Sequence, residues 1–201
     1  MLKSFAQFIN ESTITNHVVD LLYRNHPELE KIGTMEQYSK YLDTLFPESQ
    51  IKDIVYHGSN YLFDRFEKRD NPNNTYDTGS YKAGWFFAKD PISPKSYIDS
   101  PIMTKLFNYF GFSKDKNPTI YSVLLDIRNP SVEDRQGERG IGFDEVNLAI
   151  ANKNDAYIAK NVIDPTVKTD VFVVFEPEQI YILGSKQDAE SFREFVESQS
   201  R

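Results

Sequence analysis

The residue best placed to do chemistry is a histidine at the end of a short apolar run. The run 54–56 leads directly into His57, and Gly58 and Ser59 follow. β-Branched residues favour strands and glycine favours turns. We therefore expect His57 at a strand end, on one wall of a nucleotide-binding cleft. The alternative is a structural histidine whose ring bonds a backbone carbonyl.

Two further segments have the same character. Residues 84–97 form an aromatic strand that leaves a glycine and then a helix carrying Tyr97, and residues 170–180 form a late strand that ends at a proline. Trp85 and Phe87 alternate with Phe86, so we expect one face of the aromatic strand to be core. For Tyr97 a core position on a helix face is the alternative.

In this order the three segments resemble the histidine-type ADP-ribosyltransferases, the clade of diphtheria toxin and the poly(ADP-ribose) polymerases, and especially their small phage and mobile-element members. The family pattern is Tyr-His-Gly-Ser/Thr, then Gly-x-Tyr-Phe-Ala with a tyrosine nine residues later. A late strand then reads Glu-Tyr-Val-Val-Phe-Asp-Pro-x-Gln-Ile. Ala88 and Tyr97 keep the spacing of nine, and the resemblance covers roughly residues 52–184.

The resemblance implies that NAD is the substrate. His57 would bond the adenosine-side ribose, and Gly58 would contact the nicotinamide amide through its backbone. Ser59 would support that turn or contact the ribose, and Tyr97 would stack on the nicotinamide ring. Phe86 stands where the family has its second tyrosine, so the hydroxyl is lost there.

The sequence departs from the family at the catalytic acid. The family's glutamate aligns with Val171, and Asp170 lies one residue earlier. In a regular strand Asp170 faces away from the cleft, unless a bulge changes its direction. We expect the catalytic acid to be Asp170 or Glu178, with Glu176 and Gln179 as other candidates. A solvated surface acid is the alternative for each.

Irregular alternation of short strands and helices predicts an α+β fold. The family implies split antiparallel β-sheets with flanking helices. We expect an ADP-ribosyltransferase-like domain over 51–201 and an N-terminal helical segment over 12–50. A charged loop is expected at 130–142, and a polar loop that suits a lid at 70–79.

Residues 1–11 resemble the leader that carries internal head proteins into the capsid of large tailed bacteriophages. Leu2, Phe5, Phe8 and Ile9 repeat with helical spacing, and cleavage would follow Glu11. A helix packed on the domain is the alternative. The leader would place the protein in the virion head and then in the host cytoplasm.

The composition limits the classes of partner and of chemistry that we expect for this protein. The net charge of −7 argues against broad binding to duplex nucleic acid, and the absence of cysteine excludes thiolate chemistry. There is no membrane-length apolar run, and His17 and His26 have no third ligand nearby, so we expect no membrane or metal partner. We expect a monomer.

The expected function is NAD-dependent mono-ADP-ribosyl transfer to a host protein or nucleic-acid acceptor. Two alternatives stay open: a catalytically inactive binding protein of the same fold, and a packaged component of the phage head.

Overall fold

The computed structural model describes residues 16–60, 62–68, 84–99 and 117–199. The predicted leader at 1–11 and the predicted lid at 70–79 lie outside these ranges. In the described part the helices are α1 Asn16–Asn25, α2 Pro27–Glu30, α3 Met35–Thr44, α4 Ile92–Ile98, α5 Phe143–Ala151 and α6 Lys186–Gln199. The strands are β1 Val55–Ser59, β2 Trp85–Ala88, β3 Thr119–Leu125, β4 Pro130–Asp134, β5 Ala156–Asp164, β6 Val167–Val174 and β7 Ile180–Ile182.

The seven strands form one mixed sheet in the order β4-β5-β6-β2-β1-β3-β7. The predicted α+β class is confirmed. The expectation of antiparallel strands is wrong at one pair, because β4 and β5 run parallel. The expected loop at 130–142 is wrong over its first residues, which form β4. Since β4 is an edge strand with mostly polar residues, its sequence lacks the apolar alternation that predicts a strand.

The two faces of the sheet are covered differently. On one face Val55, Phe87 and Phe172 belong to a buried cluster that Phe66, from residues 62–68, closes. This finding confirms that Phe87 is a core residue, with 1% of its surface exposed. On the other face α5 covers the β5–β6 half, and α4 lies on β1, β2 and β6.

The N-terminal helices complete that second face over β3 and β7. Leu29, Tyr38 and Phe192 are 0% exposed and share one cluster with Leu124 of β3. A capping box between Thr34 and Gln37 fixes the start of α3. The helical segment therefore shares its core with the sheet and with α6.

A buried carboxylate joins α3 to α6 inside this cluster. Asp188 is 0% exposed, and its Oδ2 accepts hydrogen bonds from the Tyr38 hydroxyl at 2.5 Å and from the Gly184 N–H at 2.8 Å. Burial raises the pKa of Asp188, and burial together with this carboxyl raises the pKa of Tyr38. Tyr38 therefore stays a hydrogen-bond donor.

We expect Tyr38→Phe to lower the free energy of unfolding by about 1–3 kcal/mol, because it removes one of the bonds to a buried acceptor. Chemical denaturation measures the change. The matched experiment is a double-mutant cycle with Asp188→Ala, in which the two losses should be strongly non-additive. Additive losses would show that this hydrogen bond does not link the two helices.

Candidate functional site

The three segments singled out in the sequence become three neighbouring strands. β1 carries His57, β2 carries Phe86 and β6 carries Val171, and β2 lies between the other two. His57 is the third of the five residues of β1 rather than its last, because Gly58 and Ser59 stay paired with β3 instead of turning away. Ala88 of β2 pairs with Tyr56 on one side and with Val171 on the other. The sheet thus brings together residues that are more than 110 positions apart in the sequence (171 − 57 = 114).

The ladder of paired residues between β1 and β2 is very short. These strands share a single register pair, Tyr56↔Ala88, whereas β1 and β3 share the five pairs from Val55↔Val123 to Ser59↔Thr119. From His57 onward the sheet is therefore split between β1 and β2.

Strand alternation shows which backbone groups face this split. The Lys89 N–H donates to the Asp170 carbonyl at 2.9 Å. The backbone N–H and C=O groups of Lys89 therefore point to β6, and so do those of Phe87, two residues earlier. The backbone groups of the residues between them point to the other neighbour. Phe86 and Ala88 therefore direct their N–H and C=O groups at β1.

The same rule applies to β1. Because Tyr56 lies opposite Ala88, the backbone groups of Tyr56 and, two residues later, of Gly58 are directed at β2. In a continuing ladder Gly58 would lie opposite Phe86. The split therefore presents the N–H and C=O of Gly58 side by side.

The imidazole of His57 bridges the split. Its Nδ1 lies 2.9 Å from the carbonyl oxygen of Phe86, which is the acceptor that a continuing ladder would offer to Gly58. Since a carbonyl only accepts, Nδ1 carries the proton and Nε2 is the acceptor in the neutral ring. The ring also contacts Phe66 edge to face, with a centroid distance of 5.1 Å.

The structural alternative for His57, a bond to a backbone carbonyl, is thus present. This bond uses Nδ1 and does not involve Nε2, the other nitrogen of the ring. Burial lowers the pKa of His57, and the bond to Phe86 partly opposes that effect. The ring is therefore neutral at pH 7.

Helix α4 covers the split at Gly58. A Cβ atom at this position would lie 2.8 Å from the carbonyl oxygen of Pro94 and 3.2 Å from Cδ1 of Ile98. Only glycine allows α4 to approach β1 this closely. Ser59, the last residue of β1, lies opposite Thr119.

The two predicted aromatic residues occupy different settings. Phe86 is half-buried and packs against the cluster under α5, on the same face of the sheet as Gly58. Tyr97 lies on α4 and is 43% exposed, so it is not a core ring. Its hydroxyl donates to Oδ1 of Asp164 at 2.5 Å. By strand alternation the His57 side chain points to the other face of the sheet from Phe86 and Gly58.

Val171, which aligns with the catalytic glutamate of the family that the chain resembles, is buried inside the sheet. Val171 is 2% exposed and lies between Ala88 and Ala159 on the neighbouring strands. Asp170 is half-buried, and its Oδ1 accepts the N–H of Asn161 at 2.9 Å.

A bulge on β6 was the condition for Asp170 to change direction, but the extra residue lies on β5 instead. The register shifts between Ala159 and Val162, and Asn161 has φ 55°. The Asp170 carboxylate binds this irregular backbone. This contact gives the Asp170 carboxylate a structural partner.

The other acid candidates follow β6 and lie at the surface. Glu178 is exposed in the 3₁₀ turn before β7, and Glu176 forms an ion pair with Lys68 at 2.5 Å. Gln179 is structural, because its Oε1 accepts the N–H of Phe175 at 3.0 Å and its Nε2 donates to two backbone carbonyls.

Sequence reasoning missed Asp164, which receives Tyr97 through one oxygen and the Ser93 hydroxyl through the other at 2.9 Å. The only sequence signal was a carboxylate immediately before Pro165 in a turn, which is too common to single out a site.

The described residues contain no group of three or more side chains able to hold a metal ion. Every helix in the described ranges falls short of the length and apolar character that a membrane span requires. Comparison of the chain with protein-family models and with curated proteins found no match.

The lowered pKa of His57 predicts a pH dependence of stability. The unfolded imidazole takes up a proton below about pH 6.5 whereas the folded one resists it, so stability should fall as pH drops below 6.5. Substitution His57→Gln should remove this component, worth about 1.4 kcal/mol for each unit by which the pKa is lowered. Denaturation at pH 7.5 and 5.5 compares the two proteins. An identical loss in both proteins would contradict the conclusion that folding keeps the His57 ring neutral.

Proposed function

We propose that this chain binds NAD at the split between β1 and β2 and transfers its ADP-ribosyl group to a macromolecular acceptor, as the histidine-type ADP-ribosyltransferases do. One observation carries the proposal: the ladder ends after Tyr56↔Ala88, and His57 takes the Phe86 carbonyl in place of a strand partner. A donor and an acceptor of Gly58 are thereby directed into a gap within the sheet.

The chemistry of this gap suits a carboxamide. A primary carboxamide carries N–H donors and a carbonyl acceptor, and the backbone of Gly58 supplies one hydrogen-bond partner for each from a single residue. A side chain at position 58 would collide with Pro94. The nicotinamide group of NAD is therefore the ligand that we assign to this edge of β1.

The remaining ligand contacts in this proposal are those that the family resemblance implies. The lone pair on Nε2 of neutral His57 would accept a ribose hydroxyl. Tyr97, half-exposed on the helix above Gly58, would offer its ring to the planar nicotinamide cation. Phe86 would supply apolar packing on the same face as Gly58.

The reaction breaks the bond between nicotinamide and ribose. Nicotinamide leaves with the bonding electrons, an oxocarbenium-like centre develops at the ribose, and an acceptor nucleophile bonds there and loses its proton. A carboxylate close to the ribose stabilises such a centre. Among the sequence candidates Asp170 and Glu178 would have to supply it, since Val171 cannot.

A second candidate function is a non-catalytic protein of the same fold that binds NAD or a related nucleotide. Two observations favour it: the glutamate position is filled by the buried Val171, and the carboxylate of Asp170 binds the β5 bulge. Under this proposal a nucleotide binds at the split between β1 and β2, but no catalytic carboxylate lies beside it.

Binding and turnover measured separately distinguish the two candidates. We expect NAD to bind in calorimetry, and His57→Ala to weaken it about tenfold, which corresponds to about 1.4 kcal/mol for one lost hydrogen bond. His26→Ala, which changes a histidine of the helical segment, is the matched control. Release of nicotinamide and transfer of label from NAD to a bacterial lysate measure turnover.

Each outcome has a definite meaning. Binding with label transfer supports the enzyme. Binding without nicotinamide release or transfer excludes the enzyme and supports the binding protein. Failure of NAD to bind excludes the enzyme, and it excludes NAD as the ligand of the binding protein. The phage-head location stays a prediction, which the N-terminal residue of the protein in virions tests: Ser12 supports cleavage after Glu11, and Met1 excludes it.

A further inference from the structure

Helix α4 forms a wall of the split, and it is too short to hold its position alone. It spans the seven residues Ile92–Ile98, and an isolated helix of this length is unstable in water. Pro94 and Ile98 rest on Gly58 along one flank. Because Gly58 offers only backbone there, these contacts limit how closely the helix approaches but do not fix its rotation.

The turn between β5 and β6 fixes the other flank. Asp164 binds α4 through both carboxylate oxygens, since Oδ1 accepts the Tyr97 hydroxyl at 2.5 Å and Oδ2 accepts the Ser93 hydroxyl at 2.9 Å. The hydroxyls of Ser96 and Thr166 lie 3.2 Å apart beside them. A carboxylate bonded at two points one helical turn apart sets the rotation of the helix.

The direction of the Tyr97 ring depends on this carboxylate. With 43% of its surface exposed, Tyr97 is not held by close packing on every side. Burial of the hydroxyl end and the bond to Asp164 raise the pKa of Tyr97, so the phenol remains a donor throughout the neutral range. The bond to Asp164 is then what fixes the ring.

We propose that Asp164 is a positioning residue, which orients the ring of Tyr97 for the nicotinamide part of NAD and does not itself touch the reacting atoms. The inference rests on the proposed function and goes beyond it. It assigns part of the affinity for NAD to a residue of the β5–β6 turn.

Comparing two ligands distinguishes a role of Asp164 in orienting Tyr97 from a general loosening of the fold. NAD carries the nicotinamide ring, and ADP-ribose lacks it while keeping the rest of the molecule. We expect Asp164→Ala to weaken NAD binding about tenfold and ADP-ribose binding less than twofold, both measured by calorimetry. Asp99→Ala is the matched control, because this exposed carboxylate also lies at α4 but pairs with Lys95; it should change neither affinity.

Tyr97→Phe provides a second variant at an exposed position. It keeps the ring and loses only the hydroxyl, so it should show the same preference, with a smaller loss for NAD and none for ADP-ribose. Equal loss of both ligands in Asp164→Ala, or no loss of either, overturns the inference while leaving the proposed function standing. A wild-type protein that binds neither ligand overturns both.

Discussion

One hydrogen bond, from Nδ1 of His57 to the carbonyl of Phe86, holds the sheet together where its ladder has ended. A buried carbonyl without a partner is costly, and an inserted imidazole removes that cost without closing the gap. The backbone of Gly58 is consequently directed into the gap, and α4 can lie directly on it. If the ladder continued past Tyr56, the edge of β1 would be used internally and no ligand could reach it.

The split and the acid are separate features in this chain. The residues that shape the split lie in three neighbouring strands and one helix, whereas the carboxylates already have structural partners. Asp170 binds the β5 bulge and Asp164 binds α4. Both contacts satisfy polar groups that would otherwise be costly to bury. The proposed binding of a nucleotide and the proposed cleavage of its glycosidic bond therefore depend on different residues of this chain.

The sequence predicted the local features and missed the long-range ones. The position of His57 in a strand followed from the β-branched run before it, and the buried Phe87 followed from alternation, because both signals lie within a few residues. The predicted strand end at His57 was wrong, because Gly58 and Ser59 continue β1 in its ladder with β3. The polar edge strand β4 carried no such signal. Nor did the contact of Asp164 with Tyr97 or of Asp188 with Tyr38, since each depends on segments that only the fold brings together. Local pattern alone did not predict the adjacency of β1, β2 and β6 either.

The most direct test of the central claim follows the backbone amide of Gly58 by nuclear magnetic resonance while nicotinamide is added. Because the claim is that this N–H faces the split and binds the carboxamide, its resonance should shift progressively and its exchange with solvent should slow on saturation. The amide of Ile182, in the edge strand β7 two strands from β1, should not respond. An unchanged Gly58 resonance at saturating nicotinamide, or at saturating NAD, would contradict the account.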